Sequence, residues 1–240
     1  MSTWHIFRAV ASKKAGDIKG FFKKKKLSEP VDKKLPFNLH IGSSISLDQT
    51  IYIAYGDKMK MTSPGKECIV GAYGKADIYD SLVHRFYLYD VRDKNNSSFL
   101  QIVTGMDNPE IQECRLFKPL DEIFPENEEE WGFWLDDAEG YIGWHTFEDK
   151  SGNLYDRIWG EEDAERSEPV CFSETVYIDK YGENVSIVDN TAMLYGTWID
   201  EEEEIAELAL LSAEQSGHES AVVHIYTGID VMPESFNVNY

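Results

Sequence analysis

Short runs rich in Val, Ile, Tyr and Phe alternate with turn-forming residues along the chain from Leu35 onward. The runs recur every 8–15 positions, a spacing that is typical of antiparallel strands joined by short connections. Strands do not alternate with long helices, so a doubly wound parallel sheet is not expected. The pattern predicts a mainly β (α+β) fold of antiparallel hairpin and meander sheets. In the first half the candidate strands are Ser43–Leu47, Thr50–Tyr55, Cys68–Tyr73, Leu82–Val91, Ser98–Thr104 and Glu113–Phe117.

The second half continues this pattern and adds a short helix. Pro125–Leu135 predicts one or two helical turns, because acidic side chains at the start of a helix interact favourably with its dipole. Residues 201–213 are ambiguous, and we favour a strand from Leu208 that pairs with Ala221–Thr227. Residues 233–240 predict a loose tail. The other candidate strands are Gly140–Phe147 with Asn153–Trp159, Glu174–Ile178 with Val185–Val188, and Ala192–Trp198.

The N-terminal segment carries an apolar stripe with helical spacing. Its members are Trp4, Phe7, Ala11, Ala15, Ile18 and Phe22, at intervals of 3, 4, 4, 3 and 4 residues, and Phe21 widens it. These intervals place the residues on one face of an α-helix. Gly16 and Gly20 each cost about 1 kcal/mol of helix propensity relative to Ala. The segment is therefore expected to be an N-terminal amphipathic helix that forms when its apolar face meets a surface.

Charge divides the chain at the same place. The net charge is −21, yet residues 1–34 hold ten basic and three acidic side chains and so carry +7. Residues 35–240 therefore carry −28, and this asymmetry indicates parts with different roles. We divide the chain into a basic arm and linker over 1–34, an acidic β-rich domain over 35–232 and a tail over 233–240. The acidic domain is one unit or two similar halves. Its charge argues against nucleic-acid binding.

Three interpretations of the arm remain open. It lies on an anionic membrane surface, with its aromatic residues at the headgroup boundary and its lysines against anionic lipid. Alternatively, it docks in the groove of a helical partner protein. In the third interpretation it packs on the acidic body of its own chain or of a second copy, as a swapped arm in a homo-oligomer. The candidate membrane- or partner-binding residues are Trp4, Phe7, Ile18, Phe21, Phe22, Lys23, Lys24, Lys25 and Lys26.

The sequence shows no catalytic, cofactor-binding or metal-binding motif. Phosphate loops, dinucleotide fingerprints, nucleophile elbows and paired metal-binding histidines are all missing. The three cysteines, Cys68, Cys114 and Cys171, have neither zinc-site nor disulfide-framework spacing. We expect no secretory signal, because the first residues lack an apolar core, and no apolar stretch reaches membrane-spanning length. We expect a cytoplasmic protein that is not an enzyme and has no cofactor.

A dense aromatic set lies between positions 131 and 159. Cross-strand packing into a core or rim cluster is the simpler interpretation of these side chains. The alternative is a ligand groove, in a small-ligand-binding or enzymatic domain that also uses Asp136, Asp137 or His145. The aromatic set consists of Trp131, Trp134, Tyr141, Trp144, Tyr155 and Trp159.

A family resemblance rests on the order of several stretches. His84-Arg85-Phe86-Tyr87-Leu88 precedes Phe99-Leu100-Gln101-Ile102, and Glu139-Gly140-Tyr141-Ile142-Gly143-Trp144 precedes Tyr155-Asp156-Arg157-Ile158-Trp159-Gly160. With Tyr226-Thr227-Gly228-Ile229-Asp230, they resemble the YjfK-like family of uncharacterised bacterial proteins over nearly the whole chain beyond the arm. That family has no established catalytic residues, so none is carried over.

The resemblance also implies a setting. Members of the YjfK-like family tend to be encoded beside relatives of phage-shock protein A, a helical membrane-remodelling protein of envelope stress. This implies an accessory role at the inner face of the membrane. Our leading hypothesis is a non-enzymatic cytoplasmic adaptor, peripheral to the inner membrane, whose residues 1–26 bind an anionic membrane surface or a helical partner of the phage-shock type.

Overall fold

The computed structural model describes residues 34–107, 109–161, 163–217 and 221–239. The predicted amphipathic helix and its binding residues lie outside this part of the chain. The two α-helices in it are α1 (Thr50–Tyr55) and α2 (Glu128–Leu135), and 3-10 turns occupy Pro36–Asn38 and Pro233–Ser235. Its strands are β1 (Ser44–Leu47), β2 (Glu67–Ile78), β3 (Ser81–Asp90), β4 (Ser97–Gly105), β5 (Ile111–Ile123), β6 (Thr146–Glu148), β7 (Leu154–Arg157), β8 (Val170–Tyr177), β9 (Val185–Asp200), β10 (Ile205–Ser216), β11 (Val222–Asp230) and β12 (Phe236–Asn239).

Eight of these strands form a closed antiparallel ring in the order β2-β3-β4-β5-β11-β10-β9-β8. The ring closes because β8 pairs with β9 on one side and with β2 on the other, where Tyr73 faces Tyr177 and Ala76 faces Glu174. Closure pairs strand edges that would otherwise be open to another chain. The predicted mainly β, antiparallel fold class is confirmed as an eight-stranded β-barrel.

Two short strand pairs extend from the barrel. The first part of β2 pairs with β1, which in turn pairs with β12. The last part of β9 pairs with β7, which forms a hairpin with β6. The long strands β2 and β9 therefore each pair with β8 over one part of their length and with a strand outside the ring over another.

Side chains alternate between the barrel interior and its outer surface. On β3, Val83, Arg85 and Tyr87 lie inside, while His84 and Phe86 lie outside. The interior is filled by a cluster that includes Val83, Phe99, Phe117, Phe172, Leu194, Leu208 and Leu210. Since the outer surface is also apolar along much of its length, it needs a cover of its own.

Two outer layers supply that cover. Residues 34–66 and 231–239 pack on β2 to β5, where Leu39, Ile45, Met61, Phe86 and Leu100 are fully buried. Residues 125–167 pack on β9 to β11 through a cluster that includes Trp131, Ile142, Phe147, Tyr155, Met193, Tyr195 and Leu211. The described molecule thus has three apolar cores, one inside the barrel and one under each cover.

The predicted hairpins are confirmed, but the strand predicted over Gly140–Phe147 is shorter and covers Thr146–Glu148. β3 and β4 flank the turn at 91–96, β6 and β7 flank the turn at 149–152, and β8 and β9 flank the turn at 178–184. The ambiguous region after residue 204 is a strand that pairs with β11, with Leu208 opposite Gly228 and Ala213 opposite Val223. The predicted helix in Pro125–Leu135 is α2, and the Asn127 side chain caps its N-terminus by accepting from the Glu130 amide at 3.0 Å.

Three sequence-based predictions of local structure are wrong. Thr50–Tyr55 is helix α1 rather than a strand, because Asp48 Oδ1 accepts from the amide and hydroxyl of Thr50 and starts a helical turn. Val185–Val188 and Ala192–Trp198 are parts of one strand, β9. Its middle residue Asn190, which resembles a turn residue in the sequence, is buried and accepts a hydrogen bond from Ser212.

The third correction concerns the C-terminal end. Residues 233–239, predicted to be loose, form a 3-10 turn and β12. Phe236 is buried, and its ring lies 4.9 Å from that of Phe37 in an edge-to-face contact. The backbone of β12 pairs with β1, from Leu47 opposite Phe236 to Ser44 opposite Asn239.

Candidate functional site

A buried ion pair lies inside the barrel, next to β2 and between its two neighbours β3 and β8. Arg85 Nη1 on β3 donates to Glu174 Oε2 on β8 at 2.8 Å, and both side chains are nearly inaccessible to solvent, at 4% and 2% exposed. Arg85 Nε also donates to Gln101 Oε1 on β4 at 3.0 Å. Tyr87 donates its hydroxyl to Glu174 Oε1 at 2.8 Å. The charges are therefore matched, and hydrogen bonds satisfy the carboxylate as such a pair requires.

Aromatic rings and a glycine shape the space around this pair. The Arg85 guanidinium lies 5.2 Å from the ring centres of Phe99 and of Phe172, within the range of cation–π contacts. On the neighbouring strand, a Cβ at Gly74 would lie 1.7 Å from Glu174 Oε1. Glycine at position 74 therefore makes room for the carboxylate.

The network changes the ionisation of its members. Burial alone would lower the pKa of Arg85, but the Glu174 carboxylate more than offsets it and the pKa is raised. Burial, followed by the charge of Glu174, raises the pKa of Tyr87 well above its ordinary value. Arg85 stays charged and Tyr87 stays a hydrogen-bond donor across the physiological pH range.

A second polar group lies further along the interior. Tyr226 donates its hydroxyl to Glu214 Oε1 at 3.0 Å, and His224 Nε2 lies 3.7 Å from Glu214 Oε2. The other ring nitrogen of His224 lies 3.6 Å from Glu122. Burial raises the pKa of Glu214. The charges of His224 and Arg85 lower it by a smaller amount, so the pKa remains raised. Glu214 is therefore a half-buried carboxyl that retains its proton to a higher pH than a fully exposed glutamate.

The barrel opens at the end where β3 and β5 begin. A cavity of about 490 Å³ lies there, and Arg85 and Gln101 line it together with Val83, Val103, Trp159 and Val170. Glu113 and Glu168 also line it. This opening, which we call the barrel mouth, leads from the surface to the buried ion pair.

A separate groove lies on the outside of the molecule. Its volume is about 470 Å³, and its walls include Phe133, Trp134, Tyr141 and Phe147. Phe133 is 56% exposed. At the edge of the groove, Lys150 Nζ pairs with Asp121 Oδ2 at 2.5 Å.

The structure distributes the predicted aromatic set over several environments. Trp131, Trp134 and Tyr155 are buried in the core between the barrel and the outer layer formed by residues 125–167. Tyr141 and Trp159 are half-buried against that core. Trp144 is half-buried outside this cluster and donates from its indole nitrogen to the Glu139 carbonyl at 3.3 Å. Cross-strand and interlayer packing accounts for most of the set. Trp134 and Tyr141 also line the outer groove, and Trp159 also lines the barrel mouth.

The polar residues suggested beside that set do not converge on either opening. Asp136 ends helix α2 and accepts from the amides of Ala138 and Glu139. The carbonyl oxygen of Asp137 accepts from Arg166 Nη1 at 2.6 Å. His145 is exposed beside Trp144. Neither the outer groove nor the barrel mouth is lined by these three residues.

Among the described residues, no three His, Cys, Asp or Glu side chains are grouped so that they could hold a metal ion. Cys68 and Cys114 are buried free thiols, and burial raises the pKa of each to about 12. In the described segments, no helix has both the length and the apolar character to cross a membrane.

Sequence reasoning missed Arg85, Gln101 and Glu174 as a group. A signal for them exists within β3, where Arg85 occupies an inward position between Val83 and Tyr87. A charge in the middle of an otherwise apolar strand face requires a buried partner. The partner was not identifiable, because Glu174 lies 89 positions further along the chain.

Comparisons with known proteins give one result. No curated protein and no solved structure matches the chain significantly. A family model described as "Protein of unknown function (DUF2491)" matches residues 18–237, which include every strand of the barrel. The chain therefore belongs to the DUF2491 family.

Proposed function

We propose that this protein is a non-catalytic accessory protein that binds an anionic membrane surface, at the inner membrane, through residues 1–26. The observation that carries the proposal is the division of charge between an arm of +7 and a body of −28, together with the apolar stripe in the arm. An amphipathic basic segment gains energy both from its apolar face and from anionic lipid. The barrel is the acidic body that the arm attaches to that surface.

The positions of the acidic residues in the body support an arrangement in which the arm contacts the membrane and the barrel does not. The clusters at 126–130 and 201–204 are exposed. Buried carboxylates have partners instead: Glu174 pairs with Arg85, and Glu207 accepts from Thr227 and Tyr155. The acidic excess therefore faces solvent, and an anionic membrane repels it. Attraction is confined to the arm, so the arm contacts the surface and the barrel stands away from it.

Vesicle co-sedimentation of the full chain tests the proposal. The vesicles contain either phosphatidylcholine alone or phosphatidylcholine with phosphatidylglycerol. Each lysine near an anionic surface contributes about 1 kcal/mol, so replacing four with Gln lowers binding by about 10³-fold. The test variant has Gln at Lys23, Lys24, Lys25 and Lys26. The control variant has Gln at four exposed lysines of the body, Lys58, Lys66, Lys94 and Lys180.

We expect the full chain and the control variant to sediment with anionic vesicles only, and less at high salt. The test variant is expected to stay in the supernatant. Equal sedimentation of both variants, or equal binding to neutral vesicles, contradicts the proposal.

The arm has a second candidate target, a helical protein of the phage-shock type. The same apolar stripe fits a helical groove, and the resemblance described above implies such a neighbour. Failure to bind vesicles, with retention of the full chain on an immobilised helical protein of that type, assigns the arm to this target. Failure in both assays, with a concentration-dependent increase in mass, assigns it to a homo-oligomer with a swapped arm.

A further inference from the structure

The barrel mouth differs from the outer groove in having a polar floor beneath apolar walls. Five of its side chains, Ile78, Val83, Val103, Ile158 and Val170, are aliphatic, and Trp159 adds an indole. Arg85 and Gln101 line it from the interior and are 4% and 3% exposed. Its volume of about 490 Å³ lies in the range of small-molecule sites.

The chemistry of arginine fixes which groups face this cavity. A guanidinium can only donate hydrogen bonds, so the Gln101 oxygen must be the atom that faces Arg85 Nε at 3.0 Å. The Gln101 amide nitrogen then points away from Arg85. Within the described part of the chain, neither this nitrogen nor Arg85 Nη2 donates to an acceptor, whereas Arg85 Nη1 donates to Glu174. The Gln101 amide nitrogen and Arg85 Nη2 belong to side chains that line the cavity, and their N–H groups are thus available to an acceptor.

The surrounding charges select among acceptors. Glu174 balances the charge of Arg85 from the far side, so the floor offers donors without a net positive charge. Glu113 and Glu168 line the same cavity, and Glu113 pairs with Arg115 at 2.6 Å. An anion entering the mouth meets no unbalanced cation and passes carboxylates on its way. A neutral oxygen avoids this repulsion and still accepts from both donors.

We propose that the barrel mouth is a binding site for a small neutral molecule with an apolar body and a carbonyl oxygen, which accepts hydrogen bonds from Arg85 and Gln101. The apolar body packs against Val83, Val103 and Trp159. The residues that line this site all lie between positions 78 and 170 of the sequence, so the proposal does not rest on membrane binding by residues 1–26.

Octanamide is a suitable probe, because it joins a neutral carbonyl to a seven-carbon alkyl chain. Ten non-hydrogen atoms support a Kd on the order of 1 mM, which saturation-transfer NMR with the full chain detects. Octanoate has the same chain with an anionic acceptor, and octylamine has no acceptor. We expect octanamide to bind at least ten-fold more tightly than either.

Two pairs of variants locate the binding. Gln101→Glu keeps the oxygen that accepts from Arg85 Nε and removes the N–H donors, while Gln112→Glu makes the same change at an exposed position of β5. Val170→Trp fills the mouth at the start of β8. Val185→Trp makes the same change beside the other end of that strand, where Val185 pairs with Tyr177. Thermal unfolding of each variant confirms that it is folded.

We expect Gln101→Glu and Val170→Trp each to weaken octanamide binding at least ten-fold, and both controls to leave it unchanged. Gln101→Glu removes the N–H donors, whereas Val170→Trp fills the cavity. If one of these variants does not fold, the other still tests the proposal. No binding of octanamide, binding that neither test variant weakens, or tighter binding of octanoate would each overturn the proposal.

Discussion

Arg85 and Glu174 show what one buried charge requires of its neighbours. The guanidinium is held by a carboxylate and an aromatic ring from β8 and by an amide oxygen and an aromatic ring from β4. Burying either charge alone is costly, whereas the matched pair is close to neutral in energy relative to apolar side chains. The pair therefore links β3 to β8, the two strands that flank β2, on the inside of the barrel.

The first prediction concerns this pair. Glu174→Leu leaves Arg85 buried without its carboxylate, and we expect it to lower the free energy of unfolding by about 3–5 kcal/mol. The double variant with Arg85→Met removes the unpaired charge, so it should be more stable than Glu174→Leu alone. Denaturant unfolding of the single and double variants measures both values. Strictly additive losses would show that the two charges do not interact.

A second prediction follows from Glu214. Burial raises the pKa of its carboxyl, so the folded chain holds a proton that the unfolded chain has released. The free energy of unfolding therefore falls as pH rises from the ordinary pKa of a glutamate through the raised one. Glu214→Gln keeps an oxygen for the Tyr226 hydroxyl and cannot ionise. Its stability relative to the unchanged protein should increase with pH, as measured by thermal unfolding between about pH 4 and pH 8. A constant difference would contradict a raised pKa.

Residue-level prediction from the sequence was limited by distance along the chain. The aromatic set from Trp131 to Trp159 is close in sequence, and its packing interpretation agrees with the burial of Trp131, Trp134 and Tyr155. Arg85, Gln101 and Glu174 meet only because the barrel closes. No local pattern contains that information.

At the scale of elements, the hairpins were predictable from the sequence. The elements that were predicted wrongly have local causes. A strand followed by a turn and a second strand has a signature within about 20 residues, as in the pair β6 and β7. Helix α1 was missed because its apolar content resembles a strand. Ile51, Tyr52 and Tyr55 pack inward while Ile53 is exposed, and that spacing belongs to a helix.

Two of the stretches that carry the family resemblance, 139–144 and 155–160, contact each other in the outer layer formed by residues 125–167. Arg157 Nη1 donates to the Gly143 carbonyl at 2.8 Å, and the Gly143 amide donates to the Tyr195 hydroxyl at 2.9 Å. Gly143 has a φ of +116°, and a Cβ there would lie 2.3 Å from the Ser167 carbonyl oxygen. These stretches are thus accounted for by the packing of residues 125–167 on the barrel.

Two glycines give opposite predictions at the element scale. At Gly132, within helix α2, a Cβ meets nothing within 4 Å, so Gly132→Ala should stabilise the protein by about 1 kcal/mol. At Gly74 a Cβ collides with Glu174, so Gly74→Ala should destabilise it by about 2 kcal/mol or more. Denaturant unfolding of both variants checks the signs. A neutral Gly74→Ala would mean that the ion pair has free space to move.

At the scale of the whole molecule, closure of the barrel could not be predicted from the sequence. The contact between β2 and β8 joins segments about 100 positions apart, and β5 pairs with β11 over a similar span. The pattern of strands predicts an antiparallel sheet but not which distant strands become neighbours. The division of charge between the arm and the body, by contrast, could be predicted from the sequence, because it depends only on the residues that each part contains.

At the scale of the whole molecule, we propose that the arm binds an anionic surface while the barrel remains unchanged. Closure of the ring involves only residues 67–230, so attachment through residues 1–26 requires no strand to separate. The arm should therefore bind without altering the hydrogen bonds of the barrel.

Hydrogen–deuterium exchange of the full chain, with and without anionic vesicles, distinguishes binding by the arm from binding by the barrel. We expect slower exchange within residues 1–26 when vesicles are present and unchanged exchange in β2 to β5 and β8 to β11. Slower exchange in the barrel or in residues 125–167, with none in the arm, would contradict it and would place the contact on the acidic body.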